Sequence, residues 1–445
     1  MVKGESLATL PGELISSRIF NNYALFREQM NPVARQKSGT SLQDVMAGIG
    51  KLMIVEVSLD HGVDNPQLIF ESLNSTGRDL SKADLIRNFV LMRFDAATQE
   101  QLYRAHWQPM EKGFLNLEDG VWLDYYAAWF DSFARDYLTL KTGTIPTIKR
   151  VYEEFKLYAL RSDTPAIPDI IADLQRFANH YVRLGFAHET NAELRELMRD
   201  INTIEVYVAY PFLLRVMDDF KAGKITRDAL RDVLRLVESY VFRRAVCAIP
   251  TQSLNKTFAG LYHDSGIVHI IDSVAYVAAI AAVLKGHTTY KRFPDDAEFV
   301  HELRTRDSFH TRTIRFLLDK LENYGRNEKI ALTDKISVEH ILPQGENLDP
   351  DWRAMLGPDW ETIQAAYVHT LGNLTLTGYN SNYSARPFLE KRDLSAGGLD
   401  IGFKASPFRL NEEVRGRDVW DAAAIEARGK SLCERALLIW PSFSF

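Results

Sequence analysis

Two short segments in which apolar and polar residues alternate, Ile336-Ser337-Val338-Glu339 and Leu374-Thr375-Leu376-Thr377, constrain this chain more than any other feature. A period of two suits a short half-buried strand, and the residues after each segment limit the fold further. The first runs on into His340-Ile341-Leu342-Pro343-Gln344. The second meets Gly378 through Ser384, a loop composition with one Gly, two Asn and two Ser. Pro387 is tolerated in a first helical turn, and Phe388, Leu389 and Lys391 continue that helix. The predicted unit is strand, strand, helix.

The polar residues of this unit come in a chemically useful order: Glu339, His340, Asn373, Asn380, Lys391. Cutting a phosphodiester needs a water made nucleophilic and a leaving oxygen whose growing charge is held. A neutral imidazole does the first, which makes His340 the candidate base. A hard cation such as Mg²⁺, or Mn²⁺ in its place, does the second with few protein ligands, because it keeps several waters. Glu339 and the amide of Asn380 would suffice, with Asn382 as the competing amide. Each residue also has a plainer explanation. A histidine beside an apolar strand is commonly structural, Glu339 suits the wet side of a strand, Asn380 suits a turn and Lys391 an exposed helix face. His369 could donate to phosphate, but packing before the second strand explains it better.

The same residues carry a family resemblance. The segment resembles the ββα-metal, or His-Me finger (HNH-like), nuclease domain found at the C-terminal end of GmrSD-type type IV restriction endonucleases, whose His-x-x-Pro signature is matched by His340 and Pro343. The flanks agree: Arg292-Phe293-Pro294-Asp295-Asp296 before it, Asn380-Ser381, Ser384, Phe388 and Lys391 after it, then Trp420, Ile425, Arg428 and Ile439-Trp440-Pro441. The resemblance implies His340 as general base, Glu339 and Asn380 (or Asn382) as metal ligands, Asn373 as the residue tying the loop and orienting the base, and Lys391 at a phosphate. It further implies metal-dependent cleavage or nicking of foreign, often modified, DNA in restriction or phage defence. Related sequences often have an asparagine where this chain has Ala385, so any role for that amide is lost here.

Composition bounds the remainder. At 445 residues, 46% hydrophobic and 25% charged, the chain has an ordinary globular composition with room for two or three domains. A formal net charge of −6 means that any nucleic-acid surface must be a local basic one. Cys247 and Cys433 are too few for a disulfide framework or zinc cage, which suits a reducing cytoplasm. No charged-then-apolar leader and no run of about eighteen apolar residues occurs, so secretion and membrane spanning are not expected.

The chain divides into three regions. Residues 1–100 hold a strand-like Leu52–Val57 and then Ile69–Leu80 leading into a helix capped by Ser81, with Asp84 completing an acidic capping box. This stretch resembles the end of the family's ParB-like N-terminal domain, yet the family's Asp-Gly-Gln-Gln-Arg nucleotide motif is missing from the chain. Nucleotide hydrolysis is therefore not assigned here; either the gene product begins after that motif or a nucleotide-using or DNA-sensing partner supplies it. Asn74, Gly77 and Arg78 suit turn geometry better than a remnant pocket.

Residues 101–288 repeat at helical spacing: Leu230, Val233, Leu234, Val237 and Val241 form one stripe, and Ala275–Leu284 reads as a buried helix. Pro168, Pro211 and Pro250 mark breaks or kinks. Arg243 and Arg244 suit a solvated or salt-bridged face more than a phosphate contact. Residues 289–445 hold the nuclease-like motif, with Trp352, Met355, Trp360 and Ile363 in a partly helical insertion. The expected fold is α+β, mainly α-helical, with a C-terminal ββα-metal domain. Two other functions stay open: a non-catalytic regulatory or assembly subunit of a restriction complex, and an RNA-directed nuclease.

Overall fold

The computed structural model describes residues 18–31, 41–54, 56, 80–118, 121–124 and 126–443. Contacts divide the chain into two units, residues 1–70 and 71–445. The first unit has helices at Arg18–Gln29 and Leu42–Ile49. Ser41 caps the second of these with a complete capping box, its hydroxyl accepting from the Asp44 N–H and the Asp44 carboxylate accepting from the Ser41 N–H. The strand expected over Leu52–Val57 does not form at residues 52–54 or 56. The Ile69–Asp79 part of the N-terminal resemblance, with Asn74, Gly77 and Arg78, lies outside the described residues.

In the second unit Ser81 caps the helix Lys82–Leu91, as its sequence predicts. The acidic capping box is only half formed: Ser81 Oγ accepts from the Asp84 N–H, but the Asp84 carboxylate takes the serine hydroxyl proton rather than the Ser81 N–H. Ile86, Phe89 and Val90 are buried from this helix. Beyond it lies a two-stranded antiparallel hairpin, β1 (Leu115–Glu118) and β2 (Val121–Asp124), not among the expected elements although Leu115-Asn116-Leu117-Glu118 alternates and Asp119-Gly120 follows it in sequence.

The middle of the unit is helical, and two of its prolines sit at helix starts. Pro168 and Pro211 lie in the first turns of Ile167–Gly185 and Tyr210–Lys221, where a missing N–H costs nothing. Helix Arg227–Val246 buries the expected Leu230, Val233, Leu234, Val237 and Val241, and also Leu236, Glu238, Tyr240, Phe242, Arg243 and Arg244. Near its C-terminal half it is covered all round, packing against helices Ala192–Thr203, Tyr210–Lys221, Ser273–Gly286 and Asp296–Thr305. Of the expected solvated or salt-bridged face, the solvated alternative is corrected by the burial of Arg243 and Arg244, while Arg243 is salt-bridged to Asp296. Arg243 donates to the Trp440 and Pro294 carbonyls and to Asp296, and Arg244 to the Tyr290 and Pro250 carbonyls.

The C-terminal region contains β3 (Ser337–His340) and β4 (Leu374–Thr377), paired antiparallel with Val338 opposite Leu376 and His340 opposite Leu374. All four residues of β4 are buried, so its Thr residues face protein rather than water. The cause is a division of the apolar core. Leu374 and Leu376 join the large helical cluster, while Ile341 and Leu342, just beyond β3, join a second cluster with Trp352, Tyr383, Phe388, Trp420 and Ile425. The strand pair lies where the two clusters meet. The insertion folds as helices Pro350–Leu356 and Trp360–Tyr367, and the Trp352 indole N–H is satisfied by the Arg386 carbonyl. The loop after β4 includes one helical turn, Asn380–Tyr383, and Pro387 caps helix Phe388–Arg392 from just outside its first turn. A minor hairpin, β5 (Ser395–Ala396) with β6 (Leu399–Asp400), and the long helix Ala422–Ile439 complete the region. Among the described residues, no helix is long and apolar enough to cross a membrane.

Candidate active site

The segment after β3 is set by Asn373. Its side-chain oxygen accepts from the Leu342 N–H at 2.7 Å and from the Trp420 indole N–H at 3.1 Å, and its amide nitrogen donates to the Leu342 and Val368 carbonyls at 3.0 and 2.9 Å. Two acceptor and two donor positions are the whole capacity of an asparagine amide, and all are used at a fully buried site. Gly372 is required beside it, because a Cβ there would lie 2.3 Å from the Ile425 carbonyl oxygen. Arg428, buried in the same helix as Ile425, donates to the Gly372 and Leu410 carbonyls and locks the turn onto that helix. Burial drives its guanidinium pKa down to about 10. Asn373 thus ties the loop but has no group left over for a substrate.

Glu339 and Lys391 find each other. The Lys391 ammonium donates to Glu339 Oε1 at 2.7 Å and to the His340 and Ile341 carbonyls at 2.8 and 3.2 Å, which uses its three protons. Both side chains are almost fully buried. Burial pushes the Glu339 carboxyl upward and the Lys391 ammonium downward in pKa, and each one's charge opposes the other's shift. This corrects the expectation for Lys391: the ammonium serves as a counterion inside the protein and is not presented to a phosphate.

A divalent cation was expected between Glu339 and Asn380, and these residues do not fit one as they are arranged. An ammonium already stands 2.7 Å from the carboxylate, and a second cation there would meet uncompensated repulsion in a dry environment. The Asn380 amide nitrogen donates to the Val338 carbonyl at 2.8 Å and to Ser337 Oγ at 3.2 Å, so the residue fastens the turn to β3. Asn382, the competing amide, is exposed on the same turn.

His340 ends β3, and strand alternation sends its ring to the opposite face from Glu339. There its Nε2 lies 3.0 Å from His369 Nδ1, and the Phe309 ring centroid is 4.4 Å from its own. Burial first, then the neighbouring charges of His369, Lys391 and His310, push its pKa down to about 4. The imidazole is therefore neutral around pH 7, as a general base must be, though a poorer proton acceptor than a free histidine. Beyond His369 the cluster continues outward. The His310 ring centroid lies 4.7 Å from that of His369, and His310 Nδ1 is 2.7 Å from Asp307 Oδ2.

Sequence reasoning does not single out Asp307 and His310, and it gives His369 a packing role. The available signal was an Asp-x-x-His step in a turn between two helices; nothing local announces that a residue about sixty positions later completes the group. The structure thus brings together His340 with His369, and Glu339 with Lys391, but on opposite faces of one strand.

Comparison with known families falls on this region. Residues 293–435 match the family described as GmrSD restriction endonucleases, C-terminal domain. A search of curated proteins gives no match. The matched stretch takes in both strands, the His340 cluster, the Asn373 turn and most of the helix that carries Arg428. Over these residues, about a third of the chain, the protein is similar to the C-terminal domain of GmrSD restriction endonucleases.

Proposed function

We propose that this protein hydrolyses phosphodiester bonds in foreign, often modified, DNA inside the cytoplasm, as part of a restriction or phage-defence system, with His340 as the general base. The single observation behind this reading is a neutral imidazole at the end of β3, held by His369 and leading into a loop fixed on Asn373, inside a restriction endonuclease domain. If the His340 Nε2–H donates to His369 Nδ1, the lone pair on His340 Nδ1 is left for a water proton; the tautomer is inferred from the hydrogen bond. Phe309 keeps the ring from turning. Charge stabilisation at the leaving oxygen would be supplied by a divalent cation, Mg²⁺ or Mn²⁺, and of the residues expected to hold it the exposed Asn382 amide would serve rather than Glu339, which Lys391 seals.

The test is plasmid nicking with Mg²⁺ or Mn²⁺, comparing the wild type with His340→Gln. Loss of general-base help lowers the rate by about 10²–10⁴-fold. Equal nicking by the two proteins removes His340 from the chemistry. Parallel RNA and DNA substrates decide between the sugars.

One observation favours a second reading. The sealed Glu339–Lys391 pair leaves the expected cation site without its carboxylate, which suits a regulatory or assembly subunit whose nucleotide-using or DNA-sensing partner does the cutting. Absence of nicking by wild type with any divalent cation, restored only on adding such a partner, supports that reading.

A further inference from the structure

Outside the strand pair and among the described residues, one group of side chains is arranged as metal ligands are. Asp307, His310 and His369 each offer a ligand atom, and these atoms all lie within 4.8 Å of one another. The backbone prepares them. Asp307 and His310 share the turn between helices Asp296–Thr305 and Ile314–Asn323, where Asp307 Oδ1 accepts from the His310 N–H at 3.0 Å. The Ser308 N–H donates to the His369 carbonyl at 2.9 Å and fastens that turn to the residue bearing the third ligand. Phe309 stacks on the His369 ring with 16° between planes, which fixes its orientation. The Asp307 and His310 side chains are 45% and 64% exposed, so water reaches the remaining coordination position.

Two imidazoles and one carboxylate with an open fourth position form a donor set for Zn²⁺ and its neighbours, whereas Mg²⁺ prefers oxygen ligands. His369 has only two ring nitrogens, and one already serves His340. If the cation takes Nδ1, the hydrogen bond to His340 is lost. If it takes Nε2, then Nδ1 must carry the proton and donate it to His340 Nε2, which moves the His340 proton onto Nδ1. Neither arrangement leaves His340 both held by His369 and able to accept a proton at Nδ1.

We propose that Asp307, His310 and His369 form a binding site for a borderline transition cation of the Zn²⁺ class, and that filling it takes His340 out of the base role. The inhibitory half rests on His340 being the general base; the binding half does not.

Co²⁺ titration followed by visible absorption tests the site directly. Wild type is expected to bind one Co²⁺, displaced by Zn²⁺, with the signal lost in His310→Ala and in Asp307→Ala. A wild-type spectrum unchanged in both variants overturns the site. Nitrogen NMR shifts of the His340 ring, recorded with and without Zn²⁺, are expected to show the change of tautomer or loss of the hydrogen bond. Unchanged shifts in the Zn²⁺-bound protein overturn the coupling, whether or not DNA is cut. In the nicking assay with Mg²⁺, saturating Zn²⁺ is expected to slow wild type at least tenfold and to leave His310→Ala unaffected; equal inhibition of both overturns the assignment. A protein that nicks nothing but still passes the Co²⁺ test keeps the site and loses the nuclease reading.

Discussion

Arg243 and Arg244 on the one hand, and His340 with His369 on the other, are polar residues that a sequence reader notices for similar reasons, and the fold treats them differently. The arginines lie in a helix covered on all sides, and carbonyl oxygens from residues 250, 290, 294 and 440 converge on their guanidinium groups. Nothing of Arg243 is exposed to water. The histidines lead outward, from a buried ring through His369 to the exposed His310 and Asp307. A polar residue whose hydrogen bonds all go to protein groups inside the fold is there to hold the frame. One that begins a chain of polar side chains reaching solvent is placed for chemistry.

The largest effect should come from removing a frame residue. Arg243→Ala leaves the carboxylate of Asp296 and the carbonyls of Pro294 and Trp440 without their donor at a packed interface between the middle helices and the C-terminal segment. A loss of about 3–5 kcal/mol is expected from the two orphaned carbonyls and the cavity left by a fully buried side chain, while Asp296, 56% exposed, is solvated and adds little. The measurement is urea unfolding followed by circular dichroism. His310→Ala, at the outer end of the other chain of residues, should stay within about 0.5 kcal/mol of wild type. Similar losses for the two variants would erase the distinction between frame and site.

A sharper test falls on Glu339 and Lys391, because sequence pattern assigned both to chemistry and the structure groups them with the arginines. Lys391→Met leaves the Glu339 carboxylate buried without its ammonium, and Glu339→Gln leaves the ammonium without its carboxylate. Each single variant is expected to lose about 2–3 kcal/mol, and the Glu339→Gln/Lys391→Met pair less than the sum, with a coupling of about 1–3 kcal/mol in the double-mutant cycle. Additive losses would mean that the two do not depend on each other. If Glu339→Gln keeps wild-type stability and instead abolishes binding of Mn²⁺, the carboxylate belongs to the site after all.

Legibility in the sequence obeys the same division. The strand pair, the Ser81 cap and the helical stripe at Leu230–Val241 came from periodicity and turn chemistry, which are local properties. The role of Asn373 as a tie came from the family resemblance. Both-sided burial of β4 was not readable, because Thr375 looks like the wet side of a strand until Asn411, thirty-six residues away, accepts its hydroxyl proton. Lys391 misled for a related reason: its counterion lies fifty-two positions back, and a helical lysine looks exposed unless that partner is known. The Asp307, His310 and His369 group was missed because it assembles from a turn and a strand approach distant in sequence. Pairings at long range are decided by packing, and a single sequence records them only through residue types that suit several partners.

The smallest expected effect separates the two asparagines, and it carries the comparison down to a single turn. Asn380 hydrogen-bonds β3 twice and should behave as a frame residue: Asn380→Ala removes those bonds and costs about 1–2 kcal/mol. Asn382 is exposed two residues later, and its replacement by alanine should change stability by no more than about 0.5 kcal/mol. Stability therefore cannot explain any loss of nicking in Asn382→Ala. A hundredfold loss there, with an unchanged unfolding midpoint, assigns the exposed amide to the reacting centre and leaves Asn380 as the residue that aims it. Unchanged nicking, combined with a loss in Asn380→Ala that tracks its loss of stability, assigns neither amide to the cation and directs attention to the opposite face of β3, where His340 stands.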